Sequence, residues 1–392
     1  MQFQIKRDTL LKSLSVAHNI IERKNTIPIL ANVLLQIKDN ILNIIATDLD
    51  IVFHDQISDL KIDSDGSTTT SATVLYDLLR KIPTNLDITF VLESKNKLKI
   101  TAKNSKFNLL CLPIDDFPNF SNNFKNDPLN LDGQKFLALL NKTKIAMSND
   151  DTRHYLNGIF IHPTASNKTS YLTGVATDTH RLSSSSIPIQ DTKSLKPFIL
   201  PKKTVFQLSN LLQENNQSIS MFVGEGKIQF KMGNSSIVSK VIDGKFPDYE
   251  KVVPKNNNKI LKVNAKDFIN SLERVITVSI DRKEGVKVTF EKDHIQLFVA
   301  SSSSGDGKET LKAEFSSESL TVSFNARYLL DIASEIGDQN LMMNLNDAIS
   351  PVLIQDKSDN HSFYVIMPMT VSYTHLRAHE TSLHLVCRLL LE

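Results

Sequence analysis

Tryptophan is absent from these 392 residues, cysteine occurs twice and glycine only twelve times. Cys111 and Cys387 alone provide neither a disulfide framework nor a cysteine zinc site. The sparse glycines form no Gly-x-x-x-x-Gly-Lys-Ser/Thr phosphate loop, and Gly224-Glu225-Gly226 sits between two strand patterns, where it reads as a hairpin turn. No apolar run is long enough to cross a bilayer, so no membrane partner is expected. The N-terminus Met1-Gln2-Phe3-Gln4-Ile5-Lys6 begins a strand pattern and not a signal peptide, so the expected address is cytoplasmic. The formal net charge of +2 is nearly neutral, and bulk charge therefore points to no nucleic acid.

What the chain does have is an internal triplication. A helical phrase runs through Leu10, Leu11, Leu14, Ala17, Ile20 and Ile21. It returns at Phe136, Leu137, Leu140, Ala146 and Met147, and again at Phe268, Ile269, Leu272, Val275 and Val278. A second phrase, Leu75, Leu78, Leu79 and Ile82, is matched by Val205, Leu208 and Leu212 and by Leu329, Ile332, Ala333 and Ile336. Both follow i, i+3, i+4, i+7 spacing, and the period of about 130 residues is that of a whole domain. Between the two helices of each repeat, apolar and polar residues alternate, as in Ile41-Leu42-Asn43-Ile44-Ile45 and Leu98-Lys99-Ile100-Thr101. Such alternation predicts half-buried antiparallel strands. Asp132 and Asn264 are predicted helix N-caps, and Lys38-Asp39-Asn40 and Ser303-Ser304-Gly305-Asp306-Gly307 predict turns. The fold class is α+β, three tandem copies of a two-helix, antiparallel-sheet domain. With 41% hydrophobic residues, each copy can bury its own core.

The cations are distributed more suggestively than their total. Lys6, Arg7 and Lys12 lie on the first helix of the first repeat, and Lys135, Lys142 and Lys144 on that of the second. The second helices add Arg80 and Lys81, then Lys202 and Lys203. Such residues could form one positive lining that touches phosphates without reading bases, but charge alone favours ordinary solvated faces. Catalysis is disfavoured. Asp178, His180 and Arg181 have no nucleophile nearby, and His154 and His162 lack metal-ligand company, so neither a metal nor another cofactor is expected.

Several motifs then carry a resemblance, in order along the chain. They are Thr26-Ile27-Pro28-Ile29-Leu30-Ala31-Asn32, Thr47-Asp48-Leu49, Tyr155-Leu156-Asn157-Gly158 and Ala176-Thr177-Asp178-Thr179-His180-Arg181-Leu182. Asp243-Gly244-Lys245-Phe246-Pro247-Asp248-Tyr249, Phe324-Asn325-Ala326-Arg327-Tyr328 and Tyr364-Val365-Ile366-Met367-Pro368-Met369 continue the series. Together they resemble the bacterial DNA polymerase III beta subunit, the replicative sliding clamp, from Met1 to Met369. The resemblance implies the DNA clamp fold, with domains at 1–124, 129–254 and 259–369, closing as a ring-shaped head-to-tail homodimer around duplex DNA. It implies a non-catalytic processivity factor. The implied partners are double-stranded DNA, the DNA polymerase III catalytic subunit, the clamp loader complex and other clamp-binding-motif proteins.

By residue-wise carry-over, Lys12, Lys24, Arg80, Arg153, Tyr155, Lys202 and Lys203 are expected to face DNA. Thr73 and Asp151 depart from the basic or amide residues of the family's best-known members. The resemblance also implies a peptide pocket between the second and third domains. Leu156, Thr177, Thr179, His180, Arg181, Leu182, Pro247, Val252, Val365, Met367, Pro368 and Met369 are expected to line it, with Asn325 and Tyr328 at the rim. Thr179 stands where the family commonly has glycine. The repeat pattern and the resemblance both stop at Met369, so residues 370–392 are expected to be a non-native extension.

Overall fold

The computed structural model describes residues 1–21, 26–120, 124, 126–166, 169–190, 195–214, 218–278, 285–301, 303–337 and 340–369. Lys24 and the 370–392 extension lie outside them. Six α-helices occur among the described residues: α1 (Arg7–Ile20), α2 (Ala72–Lys81), α3 (Gly133–Lys144), α4 (Lys202–Glu214), α5 (Ala265–Ile276) and α6 (Ala326–Ile336). These are the two phrases of each repeat, and the strands between them pair antiparallel.

Local chemistry sets the helix ends. The carboxylate of Asp132 accepts from the Lys135 amide at 3.0 Å, and Asn264 Oδ1 accepts from the Asp267 amide at 3.0 Å, each satisfying a first-turn donor. α3 ends at Lys144, so Ala146 and Met147 fall beyond the helix that their periodicity suggested. The Ala146 amide donates to the Thr143 carbonyl, which tightens the last turn, and both side chains stay buried. Val278 lies past α5 in the same way, after the Thr277 amide has closed on the Arg274 carbonyl.

The chain forms two compact units, Met1–Tyr249 with Asp359–Tyr364, and Glu250–Ser358 with the chain from Val365. In the first unit, strands of two repeats join into one thirteen-stranded sheet. The join is made by Ser235–Lys240 pairing with Ile51–Ile57, with Ile237 opposite Phe53 and Val238 opposite Val52. The helices pack in a row, α2 on α1, α1 on α4 and α4 on α3. Gln207 Nε2 on α4 donates to the Asn19 carbonyl of α1 at 3.2 Å. A single buried apolar cluster runs beneath the row, including Leu10, Leu14, Leu75, Leu79, Leu140, Val205 and Leu208. Phe3 stacks on Phe90 in it at 4.7 Å, and Phe136 on Phe230 at 5.8 Å. Each such side chain contributes about 1.5–3 kcal/mol of burial. In the second unit α5 packs on α6, with Phe268, Leu272, Leu329 and Ile332 buried.

Gly158, which closes the Tyr155–Gly158 run, sits opposite Pro201, and a Cβ there would lie 2.2 Å from the Leu200 carbonyl oxygen. The obstacle is backbone, which has no rotamer with which to yield. Gly158→Ala is therefore expected to cost about 1–3 kcal/mol in urea unfolding. Wild-type stability would show that this strand pair opens freely.

Candidate functional sites

The Thr47-Asp48-Leu49 and Thr177-Asp178-Thr179 motifs build the same turn twice. Thr47 Oγ1 donates to the Ile51 carbonyl at 2.9 Å, as Thr177 Oγ1 does to that of Arg181 at 2.7 Å. Asp48 Oδ1 accepts from the amides of Asp50 and Ile51, and Asp178 Oδ1 from those of His180 and Arg181. Leu49 and Thr179 both hold φ of 77°. The remaining carboxylate oxygen differs in use. That of Asp48 pairs with Lys203 across the two repeats, whereas that of Asp178 accepts from Nε of its neighbour Arg181 at 3.1 Å. Asp178 is thus committed to holding a turn.

Most of the cations expected to face DNA lie on or beside the helical row of the first unit. Lys12 is exposed on α1, and Arg80 is exposed at the end of α2 with its guanidinium 5.5 Å from the Tyr76 ring centre. Lys202 and Lys203 open α4. The Lys202 amide donates to the Asn157 carbonyl and its ammonium to Asn149, while partial burial lowers its pKa from the usual lysine value. Arg153 and Tyr155 lie in the short 3-10 helix Asp151–Leu156 after α3. Tyr155 packs edge-on to His154, whose ring meets the Asp243 carbonyl at 3.1 Å. Arg153 Nε donates to Asp150 at 2.9 Å.

Two cations of the proposed lining are engaged elsewhere. Arg7 is buried, and its guanidinium donates to the Leu79 and Arg80 carbonyls at 2.8 and 3.1 Å. It caps the C-terminal end of α2, where free carbonyls attract a cation, and does not face outward. Lys142 pairs with Asp359 at 2.5 Å. Arg7 also pairs with its neighbour Asp8 at 2.6 Å, but the α2 carbonyls and Asp359 lie far along the chain, where periodicity alone could not reveal them.

The residues expected to bind a partner peptide are divided between the two units. In the first, Phe160 lies opposite Val175 and Thr177 opposite Leu182, which brings Leu156, Thr177 and Leu182 to one end of the sheet. Leu156 and Leu182 are buried there, while Thr179 and His180 are exposed on the turn. Pro247 is exposed beside Phe246, which stacks on Phe160 at 4.9 Å. In the second unit, the Met369 amide donates to the Ser323 carbonyl at 2.7 Å, beside Asn325 and Tyr328. Asn325 Oδ1 caps α6 by accepting from the amides of Arg327 and Tyr328. Its oxygen is therefore already in use. Val365 is buried, but Val252, Met367 and Met369 present 51%, 40% and 38% of their surface. Ile349 is 79% exposed on a turn held by Asp347, whose carboxylate accepts from the Ile349 and Ser350 amides.

Paired amphipathic helices over antiparallel sheet, repeated along the chain, with exposed apolar and cationic clusters, define a repeat-built α+β binding protein. Models of the DNA polymerase III beta subunit match throughout: the N-terminal domain at residues 1–121, the central domain at 130–248 and the C-terminal domain at 250–370. The beta sliding clamp of Caulobacter vibrioides strain NA1000 is 35% identical over 373 residues, covering 95% of this chain and 100% of the relative. That of Escherichia coli K12 is 30% identical over 369 residues, covering 94% and 100%. Among solved structures, the C. crescentus beta sliding clamp with PEG bound has a TM-score of 0.90 at 35% identity, covering 95% of this chain and 99% of that one. The Bartonella birtlesii clamp bound to griselimycin has a TM-score of 0.90 at 36% identity, covering 95% and 100%. The chain belongs to the DNA polymerase III beta subunit family, the sliding clamps, with three tandem clamp domains and no catalytic role.

Two outcomes are expected at these sites. A β-branched residue at φ 77° is strained, so Thr179→Gly should raise stability to urea by about 0.5–1 kcal/mol after glycine's own entropic cost. Lower stability would mean that the threonine side chain contributes more than the strain removes. Asp150 accepts from the Thr152 hydroxyl and amide and then from Arg153, which together lower its pKa to about 2. A depressed carboxylate supports the folded state above its ordinary pKa, and that support is lost as pH falls from the usual aspartate range through about 2. NMR titration should place the midpoint there. In Arg153→Ala it should rise but remain below the ordinary aspartate value of 3.8, since Thr152 is the larger cause.

Proposed function

We propose that this chain is the processivity clamp of a bacterial replication system, a cytoplasmic ring-shaped homodimer that encircles duplex DNA and tethers the DNA polymerase III catalytic subunit. The observation that carries the reading is the full-length family match joined to the helical row of the first unit, which bears Lys12, Arg80, Lys202 and Lys203. Cations on rigid helices suit phosphate contact without base reading. A head-to-tail contact between two copies can close a ring, and closure leaves no sheet edge open to further chains. Topological linkage then retains the protein on DNA, so near-neutral bulk charge is no obstacle. Domain limits at 1–124, 129–254 and 259–369 belong to the same proposal.

The clusters of both units, Leu156, Thr177, Thr179, His180, Arg181, Leu182 and Pro247 with Val252, Asn325, Tyr328, Val365, Met367, Pro368 and Met369, bind the linear motif of the polymerase and other partners. Methionine, valine and proline offer adaptable apolar contact, and His180 and Arg181 offer polar orientation.

The experiment is loading onto nicked circular DNA by a clamp loader. The protein should sediment as a dimer, stay on closed circles and leave after linearisation; a strict monomer at micromolar concentration, or loss from intact circles, would overturn the ring. Met367→Ala with Pro368→Ala should weaken a polymerase motif peptide at least about tenfold and leave retention on circles intact. Lys12→Gln with Arg80→Gln should weaken DNA association and flatten its salt dependence, with peptide affinity unchanged. Lys203 is unsuitable for that test because it also holds Asp48.

A further inference from the structure

The segment Asp359–Tyr364 belongs to the first unit, although the residues on both sides of it belong to the second. Its attachment is specific. The Lys142 ammonium on α3 pairs with Asp359 at 2.5 Å and reaches Ser362 Oγ at 3.5 Å. Asp359 also accepts from the His361 amide, which shapes the turn. Ser185 Oγ meets Ser362 Oγ at 2.9 Å, the Ser186 amide donates to the His361 carbonyl at 2.9 Å, and the His361 ring lies 5.2 Å from that of Tyr171. Ser183 Oγ returns to the helix, donating to the Lys142 carbonyl at 2.5 Å. Along the chain, the residues so joined adjoin residues of the proposed peptide site. Ser183 follows Arg181 and Leu182, and Tyr364 is followed directly by Val365 and then Met367–Met369.

We propose that Lys142 and Asp359 are a positioning pair, which fixes the entry of the Val365–Met369 segment and so sets affinity for the partner peptide without touching it. The inference rests on the peptide-site reading given above. Both side chains are largely shielded, at 27% and 21% of their surface exposed, so the pair is less screened than an open surface salt bridge. Serine hydroxyls around it hold direction as well as distance. A point charge on α3 is therefore coupled to the backbone that immediately precedes the exposed methionines.

The test uses the full-length protein and a fluorescein-labelled clamp-binding-motif peptide from a DNA polymerase III catalytic subunit. Lys142→Met and Asp359→Asn should each weaken anisotropy-measured binding about fivefold. Lys142→Arg should retain affinity, and the reversed pair Lys142→Asp with Asp359→Lys should recover most of it. Hydrogen exchange at Ser362–Ile366 should quicken in the single variants and slow again in the reversed pair, with retention on circular DNA constant. Unchanged affinity and unchanged exchange in the single variants would overturn the proposal. So would affinity that falls only in step with global melting and is not rescued by reversal. Wild-type protein that ignores the peptide would instead overturn the peptide-site reading, and the proposal with it, whatever the exchange data show.

Discussion

The backbone pairing of Ser235–Lys240 with Ile51–Ile57 is the constraint on which the rest of the first unit depends. Two repeats that each have an open sheet edge become one sheet when those edges meet, and the exposed amides and carbonyls are satisfied internally. Once the strands are joined, α1 and α4 are forced side by side, which turns two helix pairs into a row of four. Side chains lock the same join. The buried Asp55 carboxylate accepts from Ser13 on α1 and from Ser235 on the joining strand, and Lys240 pairs with Asp50 at 2.8 Å. Removing one partner of a buried carboxylate leaves charge in a poor dielectric, so this join resists sliding by a residue more strongly than the ladder alone would.

The Thr-Asp turn shows how one repeated motif takes different partners in its two copies. Both copies use the threonine hydroxyl and one aspartate oxygen to fix a residue at positive φ. In the first repeat the spare oxygen reaches Lys203 and strengthens the join between repeats. In the second it turns back to Arg181, and the tips of both turns, Leu49 and Thr179, are exposed.

The periodic features were legible because their causes are local. Helix phrases at i, i+3 and i+4, the caps Asp132 and Asn264, and the positive-φ turn at Asp39 and Asn40 all arise within a few residues of one another. Helix ends were less legible, since Ala146 and Met147 keep the apolar period after α3 has stopped. Charge roles were least legible. Arg7 and Lys142 look like exposed helix cations in the sequence, but their partners, the α2 carbonyls and Asp359, lie far along the chain. The expected peptide-site residues were recognisable only through family motifs, because Met367-Pro368-Met369 taken alone reads more readily as the end of a core strand.

Those internal pairings bear on how the helical row meets a polyanion. A phosphate that pairs with Lys203 or Arg153 must displace Asp48 or Asp150. The Arg153 pair is open to water and worth little, so a phosphate can replace its carboxylate readily. The Lys203 pair is different, because Asp48 is only 6% exposed and would be left without its cation. In the proposed clamp, phosphate contact is therefore exchangeable at Arg153 and resisted at Lys203. Weak, replaceable contact is compatible with processivity only when something other than affinity keeps the protein on its track, and a closed ring meets that requirement.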